Sequence, residues 1–385
     1  MAENLIALAA FAGTGPPQIL GVGALDVYAS GASWPSGQKN CHAFSTSGAL
    51  LAIGLELTPF LVIYDVATWL PVAGPTVSAA VTSLAFSPDN TTLAVTFRVS
   101  PGLARYSTSG WAILPALQFT PTVNINVVRY SPDGTKIAIV YEASSYFRMW
   151  NSGVFVTLPS GPAAAARMLA FSTDSTKVVV GSGFGITIYN TSDLSVVPHT
   201  LTKQDSFASF SGAAFSPDGT QLVICGDSFL QWSPTSTWAF ISAGESAAFA
   251  RGCIFTPDGL HLIIVSNNQT DSVRKMRVSD KLVVNRFNST GFSPVGGVAL
   301  SPLTMPRRMV QGIVTDDIGA VVQRTVRAYD RASGMLLQEA QSSSTTGVYA
   351  LGPFVGQQEL QRVVLDDSAG ALLNDLVTRV LPVES

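Results

Sequence analysis

Catalysis needs nucleophiles, acids, bases or metal ligands that converge, and this chain of 385 residues is sparing with them. Its three histidines are His42, which begins a predicted strand, His199, which follows Pro198, and His261, beside a turn. None has a His, Cys or carboxylate partner at a metal-ligand spacing, so structural roles are expected for all three and no metal site is assigned. No G-x-S-x-G elbow offers an acyl-transfer nucleophile. The glycine-rich GSGFG at 181–185 lies between two apolar runs and reads as a hairpin rather than a phosphate loop. Cys41, Cys225 and Cys253 form no C-x-x-C pair and are expected to act as small buried hydrophobes. Cys225 and Cys253 fall on neighbouring predicted strands, which leaves a disulfide between them as an alternative. No catalytic residue, cofactor or cofactor-binding residue is named, and the chain is not expected to be an enzyme.

The carboxylates divide into two groups. Asp89, Asp133, Asp174, Asp218 and Asp258 recur at one motif position, and a recurring turn residue accounts for them without any chemistry. Asp316, Asp317, Asp366, Asp367 and Asp375 are denser and, with Asn374, offer some of the oxygen ligands a calcium ion takes, although no EF-hand spacing is present. Turn capping and pairing with Arg362 or Arg379 is the favoured role for that cluster. Trp34, Trp111 and Trp238 recur in outer strands or loops and read as packing residues rather than a sugar platform. The sequons at Asn90, Asn190, Asn268 and Asn288 read as chance matches in a Ser/Thr-rich chain.

The elements that must position these residues come from a repeat. HAFSTSGALLAIGLE, LAFSPDNTTLAVTF, VRYSPDGTKIAIVYE, LAFSTDSTKVVVGSG, AAFSPDGTQLVICG and CIFTPDGLHLIIVSN share one pattern, and VALSPLT begins alike. The residues before the Ser or Thr are Phe44, Phe86, Tyr130, Phe171, Phe215, Phe255 and Leu300, spaced by 40 to 45 residues. That is the length of a four-stranded propeller blade. In S-P-D-G the Pro presets φ, the Asp caps the turn and the Gly takes φ > 0, so the first strand reverses there. The continuously apolar run after it is a strand covered on both faces, and two further runs complete each unit. The seventh unit lacks its later strands, whereas strand-like runs precede the first marker. The expectation is an all-β chain with a seven-bladed β-propeller over residues 1–305, closed by strands from both ends.

Composition limits the partners. Lys+Arg 22 against Asp+Glu 25 gives a net charge of −3, with no basic field to track nucleic acid. The apolar run from Leu5 to Phe11 is too short to span a bilayer, and MAENLIALAAFAG has no positive n-region, so neither membrane insertion nor a secretion signal is expected. Beyond the connector SPLTMPRR the charged share rises to about 20%, from about 10% before it, marking residues 306–385 as a second module. Alternation in VVQRTVRAY and turn signals at Asp317–Gly319, Ser333–Gly334 and Thr346–Gly347 predict a small β-sandwich there.

The repeats resemble the WD-repeat-like propellers that carry F-S-P-D-G, as in TolB-type and YVTN-type repeats. The second module, with Gly-x-Val at Gly312, D-x-x-G at Asp316, V-x-A-Y-D at Val326 and S-x-x-x-x-G-x-Y at Ser342, resembles carboxypeptidase-regulatory-like or transthyretin-like modules. Its ending, VLDDSAGALLNDLVTRVLP, is similar to the terminal module of many tailed-bacteriophage virion proteins, and phrases such as LVIYDVATWLPVAGP to phage tail-associated propellers. The resemblance implies a structural protein of the virion tail tip or baseplate, present in multiple copies and assembled in host cytoplasm. Its implied partners are other tail proteins and a host cell-surface receptor. Two other classes remain open on the sequence: a lactonase-like enzyme or ligand-binding propeller, and a cellular peptide-binding scaffold.

Overall fold

The computed structural model describes residues 2–3, 5–10, 18–21, 27–29, 39–100, 102–115, 124–141, 147–151, 154–157, 166–182, 185–199, 201, 210–226, 229–239, 241–242, 250–266, 272–287, 294–300, 305–306, 308–313, 325–330, 336–341, 343–346, 348–354, 360–365, 375–380 and 383–384. Among them every regular element is a β-strand. The chain divides into two compact units, Asn4–Leu303 and a smaller one of Thr304–Ser385 with Met1–Glu3.

In the larger unit the described strands pair into seven antiparallel sheets. Six follow the repeat directly. Each opens with a strand ending on the marker aromatic: Lys39–Phe44, Val81–Phe86, Ile125–Tyr130, Ala166–Phe171, Phe210–Phe215 and Ala250–Phe255. The turn then leads into Leu50–Leu55, Thr92–Phe97, Lys136–Tyr141, Lys177–Ser182, Gln221–Gly226 and His261–Ser266. All six of these second strands are buried at every residue after the first. Neighbouring sheets cover both of their faces, which is why the sequence runs apolar there instead of alternating. The seventh sheet joins the two ends of the unit: Pro294–Leu300 pairs with Leu5–Ala10, followed by Gln18–Gly21 and Val27–Ala29.

The opening strands contact one another in chain order, and Pro294–Leu300 touches both Ala250–Phe255 and Lys39–Phe44, so the sheets close a circle. The core is distributed between sheets. Val81, Val95 and Phe97 pack on Ile63 and Ala52 of the preceding sheet, and Phe147 and Met149 pack on Leu169, Val178 and Tyr189 of the next. Rings interlock at these seams: Phe147 stacks on Tyr189 at 5.6 Å, and Trp232 meets Phe255 edge-on at 5.8 Å. Leu20, from the N-terminal segment, is fully buried against Ile263, Val265 and Val273 of the sixth sheet.

The outermost strands are shorter than the repeat predicts. WLPVAG contributes only Pro71–Val72, and Trp69 lies in the turn before it. In the second and fourth sheets the outer strand is a single bridge, Tyr106↔Ile113 and Tyr189↔Val196. An outermost strand has a partner on one edge only and little apolar surface to cover, and Ile113 and Val196 are exposed.

In the smaller unit, Arg308–Ile313 lies between Val348–Phe354 and Val383–Glu384. A second sheet has the order Leu336–Gln341, Thr325–Asp330, Leu360–Leu365, Asp375–Val380. Ala2 and Glu3 pair with Pro306 and Met305, which places the first three residues in this unit.

Candidate functional site: the central cavity

A local irregularity repeats around the ring. In the opening strands the pairing register shifts beside the residue four before the marker: Asn40, Thr82, Asn126, Arg167, Ser211 and Arg251. A β-bulge leaves one residue unpaired and re-aims its side chain. From Thr82 to Arg251 these side chains line a cavity of about 720 Å³, bounded by the opening strands of six sheets.

Two of the bulge residues tie sheet to sheet. Thr82 Oγ1 donates to the Ile125 carbonyl at 2.6 Å, and Asn126 Nδ2 to the Ala166 carbonyl at 2.9 Å. Further along the wall, Arg129 donates to the Val128 carbonyl at 2.8 Å and Ser83 Oγ at 3.4 Å. Arg129 is accessible within the cavity yet has protein around it, and that enclosure holds its pKa below the usual arginine value. It remains a cation at neutral pH. Arg98, at the end of the second sheet's second strand, bonds Glu56 at 2.8 Å and completes four arginines in the wall. No Asp or Glu lies in the wall among the described residues.

Cys41 and His42 also line this cavity. His42 sits inside the strand Lys39–Phe44 rather than at its start, and is buried. Burial pushes the Cys41 thiol up to about 12, although Arg129 and a backbone hydrogen bond from Gly54 pull the other way. A thiol so protonated at neutral pH is a poor nucleophile. The alternative of a disulfide between Cys225 and Cys253 gives way to the buried-thiol reading, for all three cysteines are free and buried. The neighbouring Cys225 raises the Cys253 pKa, with burial adding to it. Beside them the ring is tight: a Cβ on Gly212 would stand 2.8 Å from the Gly252 Cα.

His199 is held low in pKa by burial, and so is His261, where the Lys275 charge adds to the effect; neither lines the cavity. Among the described residues no group of three His, Cys, Asp or Glu is placed to hold a metal.

The repeating aspartates occupy the turns. Asp218 Oδ1 accepts from Ser216 Oγ at 2.5 Å and from the Thr220 amide at 3.0 Å. The same bonds recur at Asp89, Asp133 and Asp174, and Thr256 and the Leu260 amide supply them to Asp258. Of the tryptophans expected to pack, Trp238 is buried edge-on against Phe215, and Trp111 packs against the first interface core. Asp316, Asp317, Asp366, Asp367, Asn374, Asn268, Asn288 and Trp34 lie outside the described residues. Asp375, Arg362 and Arg379 are placed by backbone only: Asp375 stands opposite Val364, and Arg362 opposite Thr378. The strands flanking 183–184 pair from Ser182↔Gly185 onward, so GSGFG is a hairpin.

The circle of radially arranged sheets has counterparts among solved structures. The chain is similar to the hydrazine synthase of Kuenenia stuttgartiensis, at 14% identity and a TM-score of 0.57, over 69% of this chain and 90% of that one. It is equally similar to the Cps50 (Swd1) β-propeller domain of Myceliophteria thermophila, at 14% identity and TM-score 0.56, over 73% and 94%. The fold is a β-propeller. No family model matches the chain, and no curated protein matches it by sequence. At such identities the likeness extends to the fold alone, and the blades carry no borrowed function.

Sequence reasoning missed the four arginines, because each stands in a different repeat and none is part of the F-S-P-D-G motif. For Arg167 and Arg251 a signal was present: the fourth residue before the marker is polar in strands that are otherwise largely apolar.

Proposed function

We propose that this chain is a non-enzymatic interaction platform: a seven-bladed propeller that serves as a structural protein of a bacteriophage tail tip or baseplate. Residues 306–385 form a β-sandwich that attaches it or is displayed. The observation that carries the reading is ring closure. With Leu5–Ala10 paired to Pro294–Leu300, the last blade is completed and the ring closes on itself, which leaves the faces, the rim and the appended unit for partners. Propellers in general serve as such platforms, and among the described residues of the cavity wall there is neither a carboxylate nor an activated thiol, which favours binding over hydrolysis. The phage assignment rests on the resemblance of VLDDSAGALLNDLVTRVLP and the preceding module to virion proteins. Other tail proteins and a host surface receptor are the partners it implies.

The test is composition and position. Mass spectrometry of purified virions from the phage whose genome encodes the chain is expected to detect it in several copies, and antibody labelling to mark the end of the tail. Its absence from purified virions would sink the assignment.

A further inference from the structure

We propose that Cys225 and Cys253 are a redox pair, which a peroxide converts to a disulfide that ties the fifth blade to the sixth. Both thiols are free in the structure as it stands. Cys225 lies on the second strand of the fifth sheet, Gln221–Gly226, and Cys253 on the opening strand of the sixth, Ala250–Phe255. They belong to one packed cluster across that seam. A glycine lets them approach: Gly212 stands opposite Cys225 in the ladder, and the place its Cβ would take is 3.0 Å from the Cys225 Sγ and 3.2 Å from the Cys253 backbone nitrogen. The Cys225 sulfur therefore occupies the notch over Gly212, beside the backbone that carries Cys253. Cys225 is also the hydrogen-bonding neighbour that acts most strongly on the Cys253 thiol.

Cys41 shows what a packing cysteine looks like in the same layer. It pairs with Gly54 at the register that joins Gly212 to Cys225, and a Cβ on Gly54 would meet its sulfur and the Val81 side chain. No second cysteine belongs to its cluster. At the seam of the fifth and sixth blades, by contrast, two of the chain's three cysteines meet across a blade boundary.

The order of attack follows from access. Cys253 is 6% exposed and lines the central cavity, whereas Cys225 is fully buried behind it, so a peroxide entering the cavity meets Cys253 first. The Cys253 thiolate attacks one peroxide oxygen, the O–O bond breaks, and a sulfenic acid and hydroxide form, the hydroxide taking up the thiol proton as water. The Cys225 sulfur then attacks the sulfenic sulfur and releases a second water, leaving the S–S bond. Two thiols are oxidised and one peroxide is reduced. Burial and the neighbouring thiol keep Cys253 protonated, so closure is slow and needs sustained oxidant. The bond closes a loop that contains Leu230–Pro234 and Ile241–Ser242, the outer strands of the fifth blade. Such a crosslink stabilises chiefly by restricting the unfolded chain. This inference goes beyond the platform reading and does not depend on the phage assignment.

The test is a peptide map of the folded full chain after prolonged incubation with hydrogen peroxide, with free thiols alkylated under denaturing conditions before digestion. The expected product joins the Cys225 and Cys253 peptides with the loss of two hydrogens, and Cys41 is recovered alkylated. The melting temperature should rise by a few degrees and return on adding dithiothreitol. In Cys225→Ala the same treatment should carry Cys253 on to sulfinic acid with no rise; if that variant fails to fold, the map and melting curve of the parent decide alone. Sulfinic acid at Cys253 with Cys225 still alkylated in the parent, recovery of both thiols unmodified, a bond to Cys41, a crosslink that forms only in denaturant, or a crosslink that does not raise the melting temperature would overturn the proposal.

Discussion

At the scale of single residues, the departures from the repeat are more informative than the repeat itself. The fourth turn position takes a left-handed backbone in all six turns, and Gly48, Gly134, Gly219 and Gly259 serve four of them. Asn90 and Ser175 take the same conformation, at φ of 60° and 61°, where a side chain is strained. Each is put to use. Asn90 Oδ1 accepts the Ser47 amide at 2.7 Å, and Ser175 Oγ accepts the Asp133 amide at 3.0 Å, both from the preceding blade. Ser175→Gly therefore should not give the gain of about 0.4–1 kcal/mol that relieved backbone strain alone predicts, because the inter-blade bond goes with it. Ser175→Ala keeps the strain and loses the bond, and chemical denaturation should rank it the less stable of the two. The turn aspartates bear on pH. Bonds from Ser216 and Thr220 hold the Asp218 carboxyl below its usual value, and the other four are lowered too. A carboxyl with a depressed folded pKa stabilises above its unfolded value of about 3.9, and that contribution fades as pH falls through the lower folded value. Asp218→Ala should cost about 0.5–2 kcal/mol at neutral pH, by analogy with lost helix caps, and the difference from the parent should shrink below about pH 4. A deficit that does not change with pH would show that the carboxylate charge is not what matters.

At the scale of elements, the seam between the chain's two ends is where the ring is most exposed to a single change. Leu20 is fully buried against Ile263, Val265 and Val273, three residues of the sixth blade that lie far away in sequence. Leu20→Ala removes that contact and should lower stability by about 2–5 kcal/mol, at the upper end if the seam cannot collapse around the cavity. Limited proteolysis should then cut first near the N-terminus. An unchanged melting curve with unchanged cleavage would mean that the seam does not hold the ring. How much of this was legible in sequence follows from which signals are local. The marker spacing, the S-P-D-G turns and the apolar second strands depend on neighbours within a few residues, so the blades could be read directly. The need for N-terminal strands could be read because VALSPLT has no continuation. The outer strands could not: whether LSVVPHT forms a strand or a single bridge depends on how much surface a blade offers at its rim. Nor could the cavity, since Arg167 and Arg251 are 84 positions apart and meet one wall only because the ring closes.

At the scale of the molecule, both strands that seal the ring belong to the larger unit, Asn4–Leu303, and so does every described strand of the seven sheets. Closure is thus complete without residues 304–385. A chain of residues 4–303 should fold to a monomer with one cooperative transition, its melting temperature close to that of the propeller transition in the full chain. Residues 31–303 lack the three strands that complete the last blade, leaving Pro294–Leu300 without its partner. An unpaired strand presents a row of free N–H and C=O groups to any other chain, so this fragment should aggregate at concentrations where residues 4–303 remain soluble. Light scattering separates the two cases, and a soluble, cooperatively melting 31–303 would show that closure is dispensable. The same 4–303 chain also decides what the appended unit does. Under the proposed virion role, if that unit attaches the propeller to the tail, phage whose only copy is the 4–303 form should assemble particles without it. Normal incorporation would move the attachment surface to the propeller faces and leave residues 306–385 as the displayed part.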